Sequence, residues 1–271
     1  MDLLLFRALW GIDQPWQEAL PHIHKANGFH GIEAPLPHMT PREDFAAALA
    51  DHGFRCIPMI FTEGDTVDAH IASFREQVEA ALWFEPTLIN CHDGRDAWTE
   101  DESSRYFEAV LAIEEKLGAQ VAHETHRGRI LFNPWITDRL LERFPALQLC
   151  CDFSHWVCVC ERLIDDQQDI LIRCAARALH IHARVGYEEG PQVPDPRAPE
   201  YARHLEAHER WWNLVWEAQR RRGIAFSTLT PEFGPPPYLH TFPHTQTPVA
   251  NLWDICTWQA ERQARRFTTA F

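Results

Sequence analysis

The feature that most constrains the fold is a series of short apolar runs that recurs about every 30 residues along the chain. Each run is shorter than ten residues and rich in Ile, Leu, Val, Phe or Cys, as in LQLCCDF. This profile is typical of β-strands that are buried on both faces. The eight runs span residues 3–9, 28–34, 54–60, 87–92, 119–124, 147–153, 178–183 and 224–232.

Longer amphipathic segments separate these runs. The segment 41–53 begins with Pro41 and acidic residues and ends at Gly53, which are helix start and stop signals. Strands that alternate with helices form parallel sheets, and eight such units predict a single (β/α)8 barrel over residues 1–271. A dinucleotide-binding fold has no support, because no G-x-G-x-x-G follows the first run. The other predicted helices are 66–83, 99–117, 134–144, 160–174, 199–222 and 247–266.

One segment, residues 185–201, lacks any periodicity and contains four prolines. A long structureless segment after a barrel strand is usually a loop that covers or contacts the substrate. We therefore expect a proline-rich functional loop at this point, with a surface connector as the alternative.

Composition restricts the partners and the compartment. The formal net charge is -14, from 25 Lys and Arg against 39 Asp and Glu, which disfavours binding to nucleic acid. We expect no membrane partner, because no apolar stretch approaches the ~18 residues that span a bilayer. The N-terminus lacks the charged region and cleavage site of a signal peptide. The eight cysteines form no C-x-x-C pair and are expected to be free thiols of a cytoplasmic protein.

Ionisable side chains follow the apolar runs, at the strand ends where barrels of this kind carry their active sites. Charged groups buried there need partners or a cation. Carboxylates and imidazoles without thiolates favour one divalent ion, Mn²⁺, Mg²⁺, Co²⁺ or Zn²⁺, that leaves positions open for substrate oxygens. The set comprises Glu33, His92, Asp93, Glu124, His126, Arg127, Arg129, Asp152, His155, His180, His182, Arg184 and Glu232.

Three motifs in this set carry a family resemblance: the Glu of HETHRGR, the D-x-x-H of CDFSHW and the H-x-H of HIHAR. With the PEFG of the last run, they resemble sugar isomerases and epimerases of the xylose isomerase-like barrel superfamily, which includes ketose 3-epimerases, hydroxypyruvate isomerase and inosose dehydratase. The resemblance implies that Glu124, Asp152, His182 and Glu232 bind the metal. It also implies that the two glutamates move a proton through an enediolate. His180 points to the same side of its strand as His182 and remains the rival ligand.

Other residues of the set are candidates for contact with a small-molecule substrate. The resemblance implies that His155 contacts a substrate oxygen. Ketose 3-epimerases carry an Arg a few residues beyond the strand-7 ligand, whereas Glu188 stands near that position here. Four arginines nevertheless motivate the hypothesis of a substrate with a carboxylate or phosphate: Arg127, Arg129, Arg184 and Arg197. The remaining substrate-binding candidates are His180, His92, Glu33 and His126, with aromatic rings at Trp10, Phe153, Trp156, Tyr187 and Phe233.

The predicted site is compatible with several functions. A metal-dependent isomerase or epimerase of a small sugar or sugar-derived hydroxy-carbonyl compound is the leading hypothesis. A dehydratase or related lyase is the closest rival, because enolisation is its first step as well. A DNA-repair endonuclease on the same barrel is disfavoured by the acidic charge, and a barrel that only binds a ligand is the non-enzymatic alternative. The resemblance implies a homodimer or homotetramer.

Overall fold

The protein forms a closed barrel of eight parallel strands in sequential order, and this confirms the predicted fold. The structure is a computed structural model that describes residues 1–270. Strand β1 closes the barrel by pairing with β8, Asp2 to Leu5 against Phe226 to Leu229. The strands β1 to β8 are Asp2–Ala8, Gly31–Pro35, Arg55–Phe61, Ile89–His92, Val121–Glu124, Leu149–Cys151, Ala178–His182 and Phe226–Thr230.

Helices cover the outside of the barrel, and most of them lie where they were predicted. The prediction of one helix over 160–174 was wrong: one helix ends at Cys160, and the next begins at Gln168 after a left-handed turn at Glu161. The helices α1 and α6 were not predicted. Helices α1 to α9 are Trp16–Ala26, Arg42–Asp51, Val67–Leu82, Glu100–Leu117, Pro134–Arg143, Ser154–Cys160, Gln168–Ala175, Ala202–Arg221 and Leu252–Ala270.

Side-chain caps fix the start of three helices that follow the carboxyl ends of barrel strands. Thr66 accepts a hydrogen bond from the backbone of Ala69 at the start of α3. Thr99 and Glu102 form a reciprocal capping box on α4, and Asn133 caps α5. Such caps satisfy backbone N–H groups that a helix leaves unpaired, and each contributes about 1 kcal/mol.

The barrel interior is layered, because alternate residues of a strand point to the same face. An apolar layer contains Phe6, Ile57, Ala122 and Cys150, all buried. Two residues further along β5, the same face carries Glu124. The apolar layer is therefore a floor, and the polar side chains stand above it at the carboxyl ends of the strands.

The outward face of β5 carries a second buried charge cluster, centred on His123. Its Nδ1 lies 2.8 Å from Oδ2 of Asp93, and its Nε2 lies 2.9 Å from Oε1 of Glu114. Burial by itself would lower the pKa of His123, but the two carboxylates outweigh it and raise the pKa to about 10. Asp93 also accepts hydrogen bonds from Cys91 and Tyr106. Asp93 therefore points away from the barrel mouth and ties the sheet to α4.

Replacement of His123 by Asn is expected to lower the free energy of unfolding by about 3–5 kcal/mol, because it leaves the buried carboxylate of Asp93 and the partly buried one of Glu114 without their cation. In the wild type this contribution should be complete below the ordinary His pKa of 6.5 and be lost as the pH rises toward about 10. Urea unfolding between pH 6 and 10 measures both effects. The exposed His38→Asn serves as the control. An equal loss of stability in both variants would contradict the role of His123 as the cation that holds the two carboxylates.

All eight cysteines are free thiols, six of them buried and two partly buried. Residues 185–198 contain no helix and no strand apart from an isolated bridge between Tyr187 and Gly190. None of the helices within residues 1–270 has both the length and the apolar character needed to cross a membrane.

Candidate metal and substrate site

Four side chains from consecutive strands converge above the floor of the barrel. Glu124 ends β5, Asp152 follows β6, His182 ends β7 and Glu232 lies two residues beyond β8. One ligand atom from each of the four lies within 4.8 Å of the others, and all four side chains are buried. The structure thus brings together the four residues whose ligand role the family resemblance implied, in an arrangement that could hold one cation.

Glu124 is held through one of its two oxygens. Its Oε2 accepts a hydrogen bond from Asn90 at 2.7 Å and lies 2.7 Å from Nε2 of His92. Its Oε1 is buried and has no hydrogen-bond partner. Burial raises the pKa of Glu124, but His92 and His182 outweigh it and hold the pKa well below the usual range. The carboxylate is therefore charged and presents a free oxygen to the site.

His182 is oriented by a second carboxylate beneath it. Its Nε2 lies 3.0 Å from Oε1 of Glu33, and its Nδ1 lies 2.9 Å from Oε2 of Glu232 without forming a hydrogen bond. Metal-binding histidines commonly hold a carboxylate with the nitrogen that faces away from the metal. This contact suits Nδ1 of His182 as the ligand atom and Glu33 as the group that fixes the ring.

His180 lies one layer deeper in the barrel. Its Nδ1 contacts the hydroxyl of Thr228 at 2.8 Å, and its Nε2 lies 3.1 Å from the hydroxyl of Thr230 and 3.4 Å from Glu33. Glu33 also accepts a short hydrogen bond from Thr230. Both ring nitrogens of His180 have polar neighbours in the protein, whereas Nδ1 of His182 has none that bonds to it. This difference favours His182 over His180 as the ligand.

Arg184 inserts its guanidinium between two of the four residues. Nη2 donates to Oδ2 of Asp152 at 2.7 Å and to Oε2 of Glu232 at 2.5 Å. Nε donates a further bond to Asp152, so the contact with that carboxylate is forked. The side chain is buried and stacks between the rings of Trp10 and Tyr238. Residue 184 therefore contributes a positive charge inside the site, although the sequence placed it out of register with the family's arginine.

The charges of the site suit an additional cation. Burial raises the pKa of Asp152, and so does the negative charge of Glu232 and Glu124, while Arg184 partly offsets both. Three carboxylates thus face a single guanidinium, and Nδ1 of His182 is buried without a hydrogen bond. Carboxylate oxygens and one imidazole nitrogen are ligands that Mn²⁺, Mg²⁺, Co²⁺ and Zn²⁺ accept. The residues present fit one divalent ion.

A cavity of about 290 Å³ reaches this site, and both Glu232 and Arg184 line it. Its size is at the lower end for ligand pockets, so it suits a small molecule. Trp10 forms part of its wall and packs edge to face on Tyr238 at 5.0 Å. The wall depends on Gly234, because a Cβ at that position would clash with the Trp10 ring. The lining residues are Trp10, Pro35, Met59, Phe61, His92, His126, Arg129, Arg184, Glu232 and Tyr238.

The predicted substrate-binding residues take different positions around this cavity. His92, His126 and Arg184 line it. His155 is fully buried and its ring contacts that of His126, with 3.8 Å between ring centroids and 47° between planes. Glu33 and His180 lie below the cavity, as described above. Arg127 stacks on Tyr238 at its edge.

Sequence reasoning missed several residues of this site. Asn90 was not predicted, although it lies two residues before His92 on the same face of β4. Met59, Phe61 and Tyr238 were also missed, since apolar residues near a strand end resemble ordinary core positions. Of the five aromatic rings considered from the sequence, Trp10 lines the cavity, whereas Phe153, Trp156 and Phe233 are buried in the core.

The four arginines that suggested an anionic substrate differ in the groups that they contact. Arg184 is bound to Asp152 and Glu232, and Arg197 is paired with Asp195. Nη1 of Arg129 donates to the backbone carbonyls of Thr62 and Gly94, at 3.1 and 3.2 Å. Within residues 1–270, no carboxylate oxygen lies within 4.0 Å of a guanidinium nitrogen of Arg129. Arg129 thus lines the cavity with a fixed and unpaired positive charge.

Residues 22–209 match the family described as "Xylose isomerase-like TIM barrel". No protein of curated function matches the sequence. Similar solved structures include the probable 3-DHS dehydratase AsbF of Bacillus anthracis, at 16% identity and a TM-score of 0.65 over 96% of this chain and 98% of that one. A D-tagatose 3-epimerase-like protein has 11% identity and a TM-score of 0.67, over 98% and 97%.

A xylose isomerase-like TIM barrel protein of Mycobacterium smegmatis, solved in complex with magnesium, has 13% identity and a TM-score of 0.66, over 98% and 97% of the two chains. Identities this low establish a common fold only. The family match covers more than half of the sequence and includes three of the four residues that converge above the barrel floor. The chain belongs to the xylose isomerase-like TIM barrel family.

Proposed function

We propose that this protein is a metal-dependent isomerase or epimerase of a small hydroxy-carbonyl compound related to sugars. The observation that carries the proposal is the convergence of Glu124, Asp152, His182 and Glu232 within 4.8 Å, next to a small cavity that Glu232 lines. A divalent ion bound there would polarise a substrate carbonyl and acidify the neighbouring C–H group. The epimerase-like and dehydratase-like neighbours use the same fold, which supports an enzyme of this class.

The two glutamates are the proposed proton carriers. Asn90 and His92 bind Oε2 of Glu124 and leave Oε1 free to accept a proton from the substrate. Arg184 holds Oε2 of Glu232 and thereby fixes the carboxylate that would return a proton on the other side of an enediolate. Each group would contribute about 10²–10⁴ to the rate as a general base or acid. Trp10 and Phe61 give the neighbouring cavity an apolar wall.

Proton exchange tests the reaction class. The protein loaded with Mn²⁺ would be incubated in deuterated water with ketopentoses, ketohexoses and their acid or phosphate derivatives, and analysed by NMR and mass spectrometry. Deuterium at the carbon next to the carbonyl, with no loss of water from the compound, is the expected result. Loss of water would instead identify a dehydratase. Stoichiometric metal binding without exchange on any compound would favour a barrel that only binds its ligand.

Arg129 is the basis for proposing an anionic substrate. Replacement of Arg129 by Met should raise KM for an acid or phosphate substrate roughly 10- to 150-fold, because a hydrogen bond to a charged group contributes about 1.5–3 kcal/mol. KM for a neutral analogue should stay within about twofold, since it makes no such contact. The matched control is Arg197→Met, which removes an arginine already paired with Asp195. Equal effects of Arg129→Met on charged and neutral substrates would exclude this role.

A further inference from the structure

A second cavity is lined by a separate set of residues. It has a volume of about 650 Å³ and lies between the loop after β1, the loop after β8 and the start of α9. Neither the metal ligands nor the lining of the first cavity takes part in it. Its lining combines charged, polar and apolar groups, among them Arg7, Asp13, Gln14, His22, Asn251 and Trp253.

Arg7 is the unexplained group of this cavity. Its side chain is 1% exposed, and it leaves β1 on the outward face, opposite to Phe6. Nη1 donates to the adjacent carbonyl of Ala8 at 3.0 Å, while Nε is buried without a partner. In the described part of the chain, no carboxylate oxygen lies within 4.0 Å of this guanidinium. A charge buried without a counter-ion destabilises a protein, so the site favours the arrival of an anion.

The surroundings of Arg7 hold it in place. Its guanidinium carbon lies 5.3 Å from the ring centroid of Trp253, in a cation–π contact. His22 stacks on the same ring, with 4.1 Å between centroids and 7° between planes. Trp253 is thus held between His22 and Arg7. Movement of the guanidinium into solvent would break its cation–π contact with Trp253.

The start of helix α9 adds a second attraction for anions. This helix has 19 residues, and its first two residues, Leu252 and Trp253, line the cavity. The side chain of Asn251 accepts a hydrogen bond from the backbone N–H of Asp254, which satisfies one of the four N–H groups that the start of a helix leaves unpaired. A helix N-terminus next to an arginine is a recurrent arrangement for binding phosphate.

We propose that this second cavity binds a phosphate group, free or carried by a small metabolite, with Arg7 as its buried cation. The site is separate from the proposed reaction and does not depend on it. Asp13 is the one acidic lining residue of the cavity, and it is exposed, so that solvent weakens its repulsion of the anion.

Phosphate titration tests this site, with every protein carrying Arg129→Met so that the first cavity does not contribute. Inorganic phosphate is added at constant ionic strength in a chloride buffer, and binding is followed by calorimetry and by the midpoint of thermal unfolding. The expected result is saturable binding of one phosphate, which Arg7→Met weakens at least about 10-fold. In chloride alone, Arg7→Met should be no less stable than its parent, because it removes an unpaired buried charge.

Asp13→Asn is the complementary variant, and its exposed position leaves the fold intact. It should tighten phosphate binding, since it removes the negative charge at the cavity. A parallel titration with glycerol 3-phosphate, with glycerol as the control, separates the two sources of phosphate: much tighter binding of the ester identifies a phosphorylated metabolite, and equal binding identifies the free ion. Absence of binding, or binding that neither variant changes, would overturn the proposal.

Discussion

Replacement of Glu124 by Gln is expected to weaken Mn²⁺ binding by more than about 100-fold and to lower proton exchange by about 10²–10⁴-fold. Removal of a group that only orients a ligand already costs about 10- to 100-fold in metal affinity, and Glu124 is proposed as a ligand itself. It is also the proposed acceptor of the substrate proton. Calorimetry with Mn²⁺ and deuterium exchange measure the two losses separately.

The fold should tolerate this change for two reasons. Gln has nearly the same shape as Glu, and the substitution removes one of three negative charges that lie close together. The matched control is Glu115→Gln on the exposed face of α4, for which no change in either measurement is expected. If Glu124→Gln bound Mn²⁺ as tightly as the wild type, the metal ligands would have to be assigned elsewhere. If it bound Mn²⁺ weakly but kept exchange at saturating metal, Glu124 would be a ligand without the role of a base.

Replacement of Arg184 by Met is expected to lower the stability of the metal-free protein and to raise its affinity for Mn²⁺. Without metal, two buried carboxylates, Asp152 and Glu232, lose the guanidinium of Arg184, and the free energy of unfolding should fall by about 3–5 kcal/mol. With metal, a competing positive charge is gone from the site, so Mn²⁺ should bind at least about 10-fold more tightly. Thermal unfolding and calorimetry with Mn²⁺, both at pH 7.5, measure these effects.

Arg184→Lys separates charge from geometry. It keeps the positive charge but loses the forked contact with Asp152, so its Mn²⁺ affinity should remain close to that of the wild type. Weaker Mn²⁺ binding by Arg184→Met would mean that the arginine positions the carboxylates for the metal, and the idea of competition would be wrong. The deuterium exchange of both variants should fall, since Glu232 loses the contact that fixes it.

Much of the fold could be predicted because the relevant signals are local. Each strand is an apolar run, and the barrel rule places the ends of such runs at one mouth of the molecule. The failures have local causes as well. Helix α1 contains Pro21, and its N-cap residue Pro15 provides no side-chain hydrogen bond, and both features weaken the pattern that predicts a helix. Helix α6 has only seven residues, which is too short for a periodic signal.

The sequence by itself determined which residue types stand at the strand ends, and hence that carboxylates and imidazoles meet in one place. It did not distinguish His182 from His180, because both project into the barrel. The tertiary structure decided between them, since the pairing of β7 with β8 sets the depth of each ring: His180 lies beside Thr228, and His182 lies beside Glu232.

The partners of the arginines are a second matter that only the tertiary structure decided. Four arginines had equal claims as anion-binding groups in the sequence, and the structure pairs two of them with acids, whereas Arg129 lines the cavity and donates hydrogen bonds to backbone carbonyls. Arg7 lay inside the first apolar run and carried no signal at all. An arginine's effect depends on the charges around it in space, and residues far apart along the chain supply those charges.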